Sequence, residues 1–207
     1  MVNRKIPIKM MTFYHGTSVL FKQFDNDHAL EGDGKIKHGA GIYLTTGYKR
    51  AAHYSGKRPG ATDYYVYTVE IPDLTPDNCI EFKEAVSPSI IQRAEKELEE
   101  SIPQEVTADG KLFRKHIAMQ LAGKKKNEKL TVDDEIAAAD FLVKIGVIFN
   151  KVPFIWKKPV IHYDVIVMKT DVMHIIGIKK VDLAIDKRTK KLELVEGSEI
   201  EIPLDSF

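Results

Sequence analysis

Residues 14–54 constrain the fold of this 207-residue chain more than any other stretch. An apolar run over residues 10–13 leads into residues 14–18, Tyr-His-Gly-Thr-Ser, which is typical of a strand whose last side chain points into a cleft. Glycine has no Cβ, so Gly16 would leave the backbone there open to a ligand. The sequence therefore predicts a strand that ends at a ligand-binding edge.

A second strand follows in the same stretch. Residues 39–41, Gly-Ala-Gly, predict a turn into a short strand over residues 42–45, and a helix is predicted over residues 48–54. Two tyrosines, Tyr43 and Tyr54, lie on either side of this strand-to-helix junction. A histidine, several glycines and two tyrosines in this order indicate a binding site rather than core packing.

Together these residues resemble the ADP-ribosyltransferase superfamily, in the branch marked by His, Tyr and a late acidic residue that includes the poly(ADP-ribose) polymerases. In that branch a strand ends in His-Gly-Ser/Thr, and a later Gly-x-Gly-Ile-Tyr-Phe/Leu is followed by a pair of small residues and another Tyr. Residues 14–17 and residues 39–54 match the two parts in order and in the spacing of the tyrosines.

The order of the predicted elements gives the fold class. Early strands, a helical middle and late strands indicate an α+β fold rather than alternating βα units. A chain of this length has enough residues for one sizeable core, so we expect a single domain over residues 1–207 with a helical insertion around residues 85–146. The resemblance implies an ADP-ribosyltransferase-like split β-sheet core around that helical middle segment.

Several elements carry clear local signals. Residues 64–71 are rich in aromatic and β-branched residues and stop at Pro72, which predicts a strand. Ser87 and Thr131 are placed to cap the starts of two helices, and a further helix is predicted over residues 112–121. The remaining strand-like runs are residues 147–149, 153–156, 160–168, 172–178, 181–185 and 192–195, with the last two forming a hairpin.

The resemblance implies that the protein binds NAD as a substrate, breaks the bond between nicotinamide and ribose, and passes ADP-ribose to an acceptor. Carried over position by position, the backbone of Gly16 pairs with the carboxamide, and Tyr43 and Tyr54 flank the nicotinamide ring. His15 and Thr17 hydrogen-bond the ribose on the ADP side. Ala52 is added as one of the two small residues that precede Tyr54. The implied NAD-binding set is therefore His15, Gly16, Thr17, Tyr43, Ala52 and Tyr54.

The third motif of the family is a Glu on a late strand, and here the sequence departs from the pattern. Between residues 153 and 177 the acids are Asp164 and Asp171. Asp164 lies in residues 161–167, Ile-His-Tyr-Asp-Val-Ile-Val, which resemble the family's late strand, whereas Asp171 is typical of a turn. An Asp is one methylene shorter than a Glu, and an error near 1 Å in a catalytic group can cost on the order of a hundredfold in rate. We therefore expect a single transfer rather than polymer formation.

The catalytic residues implied by the resemblance are Asp164, His15 and Tyr43, with His162 as a helper to the site or to the acceptor. Each has a structural alternative. His15 could be a hydrogen-bonded structural histidine, Tyr43 a core residue, Tyr54 a residue that packs a helix, and Asp164 an exposed acid or the partner of a nearby lysine.

Three functions remain open from the sequence. The first is an NAD-dependent mono-ADP-ribosyltransferase that modifies a macromolecular acceptor, either protein or nucleic acid. The second, motivated by the missing Glu, is a catalytically silent module that binds NAD, ADP-ribose or a partner protein. The third resembles the RNA 2′-phosphotransferases of the same superfamily, although only Arg50 and Arg58 lie near the motif to supply the arginines of that group. Basic stretches at residues 124–129 and 187–191 keep RNA or DNA open as acceptors.

Composition limits the partners and the compartment. The net charge of +1 gives no global attraction to nucleic acid or to acidic membranes. One cysteine, Cys79, excludes an intrachain disulfide and fits a reducing compartment. No run predicts a signal peptide or a membrane span, so we expect a cytoplasmic protein with no membrane partner. The histidines lack metal-ligand spacing, so we predict no metal.

The site residues would serve a toxin, a phage-borne effector or a housekeeping modifier equally well. A toxin would add an inhibitor or antitoxin protein as a partner.

Overall fold

The computed structural model describes residues 9–25, 36–125, 127–154 and 162–206. Over these residues the chain combines a large mixed sheet with five α-helices, so the α+β class is confirmed. The strands are β1 (Met10–Thr17), β2 (Ile42–Thr45), β3 (Tyr64–Pro72), β4 (Cys79–Glu81), β5 (Phe149–Pro153), β6 (Tyr163–Val167), β7 (His174–Val181), β8 (Leu183–Ile185), β9 (Leu192–Leu194) and β10 (Ile200–Ile202).

Two of the five helices begin at the caps that the sequence predicts. The Ser87 hydroxyl accepts a hydrogen bond from the backbone N–H of Ile90, and Thr131 forms a capping box with Asp134. Each cap satisfies N–H groups that the first turn of a helix leaves without a partner. The helices are α1 (Tyr48–Ser55), α2 (Pro88–Leu98), α3 (Gln104–Thr107), α4 (Gly110–Leu121) and α5 (Val132–Lys144), with a 3₁₀ turn over Thr170–Val172.

The described residues form one eight-stranded sheet in the order β10-β7-β3-β1-β2-β6-β5-β4, and β8 and β9 form a separate hairpin. The strands β1 and β3 pair along their whole length, from Met10 opposite Pro72 to Thr17 opposite Tyr65. By contrast, β1 pairs with β2 at one position in the described chain, Tyr14 opposite Thr45. The two four-stranded halves of the sheet are therefore joined by a short ladder, and a cleft opens beside this junction.

Apolar packing covers the sheet in several clusters. The helices α2, α4 and α5 bury residues such as Ile90, Phe113 and Leu142 in one core. The helix α1 covers β3 and β7, where Ala51 and Ala52 pack against Val66 and Val181. A third cluster joins strand side chains of both halves, including Phe13 of β1 and Val165 of β6. The two halves are therefore covered by different helices but share one core.

The sequence prediction differs from the structure at several elements. The short elements β4, α3 and β10 were not predicted from the sequence. The strand expected at residues 147–149 is observed as β5, which begins at Phe149. The predicted runs 153–156 and 160–168 lie partly outside the described residues, whereas the predicted hairpin at residues 181–195 is confirmed. The longest helix in the described chain has 13 residues, and none there is both long and apolar enough to cross a bilayer.

Candidate active site

A cleft of about 740 Å³ opens where the two halves of the sheet separate. Its walls come from the end of β1, the turn before β2, the strand β2 itself, the helix α1 and the start of β6. Cavities of this volume are in the range that binds small molecules and cofactors. The residues named in the sequence analysis that line it are His15, Gly16, Thr17, Tyr43, Tyr54 and Asp164.

His15 is fixed in one tautomer. Its Nδ1 lies 2.9 Å from the backbone oxygen of Tyr43. A carbonyl oxygen can only accept, so Nδ1 carries the proton and donates it. Burial lowers the pKa of His15, so the neutral ring is favoured, with Nε2 as an unprotonated acceptor. The residue is therefore suited to accept a hydrogen bond from a hydroxyl of a ligand.

Close packing requires a glycine at position 16, and the sequence alone did not indicate this requirement. A Cβ at this position would lie 1.7 Å from the backbone oxygen of Ala51 in α1. The glycine thus allows α1 to pack directly against β1, and it also lines the cleft. This close packing brings the side chains of α1 to the same opening as His15.

Tyr43 holds the turn that precedes β2. Its hydroxyl donates to the backbone oxygen of Gly39 at 3.0 Å and accepts from the backbone N–H of His38 at 3.1 Å. Burial raises the pKa of Tyr43 to about 12, so the hydroxyl stays protonated at neutral pH. The turn itself needs glycine, since Gly39 and Gly41 have φ values of +107° and +138°. The hydroxyl of Tyr43 is occupied by the turn, and its ring is the part that can contact a ligand.

Asp164 is bound by an arginine that the sequence analysis did not assign to the site. Arg50 of α1 donates from Nε to Oδ1 at 3.1 Å and from Nη2 to Oδ2 at 2.7 Å. Two parallel bonds of this kind are the strong, geometrically specific form of a carboxylate–guanidinium pair. Asp164 is 9% exposed, so its carboxylate is buried with one cationic partner.

One signal in the sequence could have identified Arg50. It lies four residues before Tyr54 in the predicted helix, and residues at this spacing share a helix face. A helix that directs Tyr54 to the cleft therefore directs Arg50 there as well. The partner, Asp164, is too distant in sequence for local spacing to indicate the pair.

Two aromatic rings stand beside Arg50. The guanidinium carbon lies 3.8 Å from the ring centroid of Phe154 and 5.0 Å from that of Tyr54. Cation–π contacts of this length stabilise the position of a guanidinium group. Both rings are also solvent-exposed, Tyr54 by 42% and Phe154 by 49%. They form an aromatic mouth of the cleft, a name we use below for Tyr54 and Phe154.

The other predicted residues lie as follows. The Thr17 hydroxyl accepts a hydrogen bond from the backbone N–H of Val19, and Thr17 lines the cleft. Ala52 is fully buried in the core under α1, while its neighbour Ala51 lines the cleft. His162 is exposed and its backbone oxygen accepts from Phe154. In the described part of the chain, no group of three or more His, Cys, Asp or Glu side chains is arranged to hold a metal ion.

No protein-family model matches this sequence, and a search of curated proteins finds no match either. The interpretation of the cleft therefore depends on its own residues.

Proposed function

We propose that the protein is an NAD-dependent mono-ADP-ribosyltransferase. The observation that carries this proposal is that three separate segments of the chain, which supply His15, Gly16 and Thr17, then Tyr43 and Tyr54, and finally Asp164, line one cleft. If the two short motifs matched by chance, their residues would not be expected to line the same cavity as an acid from a late strand.

The proposed reaction breaks the bond between C1′ of the ribose and the nicotinamide nitrogen. The bonding electron pair leaves with nicotinamide, and positive charge builds up on the ribose in the transition state. A carboxylate near the sugar stabilises that charge, which is the role proposed for Asp164. Tyr43 and Tyr54 would position the nicotinamide ring, and Nε2 of His15 would accept from a hydroxyl of the other ribose.

The pair between Arg50 and Asp164 fits this scheme if the ligand competes for the arginine. A guanidinium binds phosphate oxygens in the same two-pronged way as a carboxylate. The pyrophosphate of NAD would then take over Arg50 and release Asp164 to the ribose. Lys57 and Arg58 also line the cleft and add positive charge for the same group.

The test is transfer of label from NAD to a cell extract by the purified chain, with the extract afterwards divided by nuclease and protease treatment. We expect label in one macromolecular fraction, and we expect it to disappear in His15→Ala and Asp164→Ala. Exposed residues of the same types, His174 and Asp171, provide the matched controls His174→Ala and Asp171→Ala, which should transfer normally. Absence of both label transfer and nicotinamide release from the unaltered chain would overturn the proposal.

A second candidate is a module that binds NAD or ADP-ribose without turnover. It is favoured by the neutralisation of Asp164, because a carboxylate held in two hydrogen bonds by Arg50 stabilises a cationic ribose less well. Calorimetric titration with ADP-ribose separates the two. Tight binding without nicotinamide release supports the module, whereas measurable turnover excludes it.

A third candidate is an enzyme like the RNA 2′-phosphotransferases, favoured by the cations Arg50, Lys57 and Arg58 in the cleft wall. Incubation with NAD and an RNA that carries an internal 2′-phosphate tests it. Loss of the 2′-phosphate would support this candidate over transfer of ADP-ribose alone.

A further inference from the structure

Six exposed cations lie on two segments that pack against each other beside the cleft. Lys57 and Arg58 follow the end of α1 and line the cleft, and the turn between β8 and β9 carries four more. We name the six the cationic ridge: Lys57, Arg58, Lys187, Arg188, Lys190 and Lys191.

The two parts of the ridge are physically joined. His53 of α1 has its Nδ1 2.7 Å from the backbone oxygen of Leu192, the first residue of β9. A Cβ at Gly56 would lie 2.7 Å from side-chain atoms of both Leu183 and Leu192, so the hairpin packs closely on the end of α1. Lys49 of the same helix also pairs with Glu196 at 2.6 Å. The hairpin is therefore attached to the helix that carries Arg50 and Tyr54.

The cations of the ridge form no close ion pairs. Other cations of the described chain are paired, as in Lys49 with Glu196 and Lys180 with Asp63. Within the described residues, none of the six ridge cations has a carboxylate within ion-pair distance.

The two acids of the hairpin turn bond neutral groups of the same turn. The carboxylate of Asp186 accepts backbone N–H groups from Arg188 and Thr189, and Glu193 accepts the hydroxyl of Thr189. Both acids keep their charge, so residues 183–194 carry four cations against two acids, an excess of positive charge in a chain whose net charge is +1.

The aromatic mouth lies at the cleft end of this ridge. A positively charged track that leads to exposed aromatic rings is the arrangement by which proteins bind single-stranded nucleic acid, since the cations follow the phosphates and the rings stack on bases. An acidic protein segment would match the charges but has no use for two exposed rings beside a guanidinium. The features together favour a nucleic acid partner.

We propose that the acceptor is a single-stranded nucleic acid, which runs along the cationic ridge and places one base against Phe154 at the cleft, while Tyr54 stays with the nicotinamide ring. This inference rests on the proposed transferase function. In the transfer step a nucleophilic oxygen or nitrogen of the acceptor forms a bond to C1′ of the ribose. The bond from C1′ to nicotinamide breaks, nicotinamide leaves with the electron pair, and the acceptor loses one proton to solvent.

The first test measures binding without NAD. Fluorescein-labelled oligo(dT) and oligo(U) of about 20 nucleotides, longer than the site of one single-strand-binding module, are titrated with the full chain over a range of salt concentrations. The variant carries Lys187→Gln, Arg188→Gln and Lys191→Gln, and it retains Lys190 because that residue has a φ of 58° in the turn. The matched control carries Lys96→Gln, Lys111→Gln and Lys115→Gln, three exposed lysines on α2 and α4.

We expect the ridge variant to bind about tenfold more weakly at low salt, and the slope of log K against log salt to fall by about 2, because three phosphate contacts are lost. The control should bind like the unaltered chain. Equal weakening in both variants, or no binding of either oligonucleotide at low salt, would overturn the proposal.

The second test separates stacking from charge. Phe154→Leu should weaken oligonucleotide binding about fivefold with the salt slope unchanged, since a stacked base and not a phosphate contact is lost. The exposed Leu112 on α4 provides the control Leu112→Ala. An unchanged affinity in Phe154→Leu would remove the aromatic mouth from the proposal and contradict it.

The two proposals fail in different ways. Nicotinamide release by the ridge variant should equal that of the unaltered chain, because the hairpin is outside the cleft. Oligonucleotide binding without any NAD cleavage would overturn the transferase function and leave the binding surface standing. NAD cleavage with label only in a protease-sensitive fraction would identify a protein acceptor and overturn the present inference.

Discussion

Two arginine–carboxylate pairs occupy opposite environments in this molecule. Arg114 of α4 donates to Glu135 of α5 in the helical core, where the residues are 5% and 9% exposed. Arg50 of α1 donates to Asp164 of β6 in the wall of the cleft, beside two exposed aromatic rings. The same type of ion pair is therefore enclosed in the helical core in one region and accessible to ligands in the other.

The enclosed pair supports the structure around the site. A Cβ at Gly39 would lie 3.2 Å from the Cδ of Arg114 and 3.1 Å from the Nδ2 of Asn150, so the pair lies directly under the turn that Tyr43 holds. Burial lowers the pKa of Arg114, which reflects the cost of keeping a charge there. Its partner cannot be exchanged for a ligand, because the cleft walls include neither residue of the pair. Of these two pairs, the one between Arg50 and Asp164 is therefore placed to change partners when a ligand binds.

The largest effect is expected from breaking the enclosed pair. Glu135→Ala leaves the Arg114 charge buried without its partner and should lower the free energy of unfolding by about 3 to 5 kcal/mol, measured by urea denaturation. The exposed pair of Lys144 and Glu97 gives the control Glu97→Ala, which should cost less than about 1 kcal/mol. Equal costs for the two variants would show that Arg114 is not enclosed as described.

A somewhat smaller effect is expected at the contact between β1 and α1. Gly16→Ala should lower the free energy of unfolding by about 3 kcal/mol, because the added methyl group collides with the backbone of α1. The strand residue Gly177 is the control, since a Cβ there meets its nearest atom at 3.7 Å. Gly177→Ala should be close to neutral in the same denaturation experiment. A neutral Gly16→Ala would mean that α1 does not pack against β1 at this distance.

Breaking the open pair should cost less in stability than breaking the enclosed one. Arg50→Gln leaves Asp164 without its cationic partner and should lower the free energy of unfolding by about 2 kcal/mol. Lys49→Gln, which removes an exposed pair on the same helix, should cost less than about 1 kcal/mol. If Arg50→Gln is as costly as Glu135→Ala, the two pairs are not in different environments.

The smallest effect concerns pH. Burial lowers the pKa of both His15 and His38 below the ordinary value of 6.5. Below pH 6.5 the unfolded chain therefore binds protons that the folded chain does not, and stability falls as pH decreases toward the lowered values. The slope should reach at most about 1.4 kcal/mol per pH unit for each histidine. The midpoint of urea unfolding, measured between pH 7.5 and 5.5, should fall as the pH is lowered. The fall should be shallower in His15→Gln. An identical fall in that variant would exclude His15 as a cause.

The elements that could be predicted from sequence are those with strong local signals. The strand β3 has a run of aromatic and β-branched residues, and α2 and α5 have the caps Ser87 and Thr131. The elements β4, α3 and β10 have three or four residues each, which is too short for a periodic pattern to show. Their existence depends on tertiary pairing, such as that between β4 and β5.

For the site, the resemblance implied a set of residues of which all but Ala52 and the helper His162 line the cleft. The spacing could not show what each residue contacts. Arg50 and Asp164 meet only because α1 and β6 pack side by side, and Gly16 faces Ala51 because a helix crosses the strand there. Contacts of this kind depend on the three-dimensional arrangement and have no local signature.

The most direct test of the central claim is the initial rate of nicotinamide release from NAD by the unaltered chain, by Asp164→Asn and by Asp171→Asn. Asp171 is an exposed acid in the 3₁₀ turn, so its variant controls for the loss of one carboxylate. We expect equal rates for the unaltered chain and Asp171→Asn, and a rate at least about a hundredfold lower for Asp164→Asn. Equal rates in all three proteins, or no release by the unaltered chain, would contradict it.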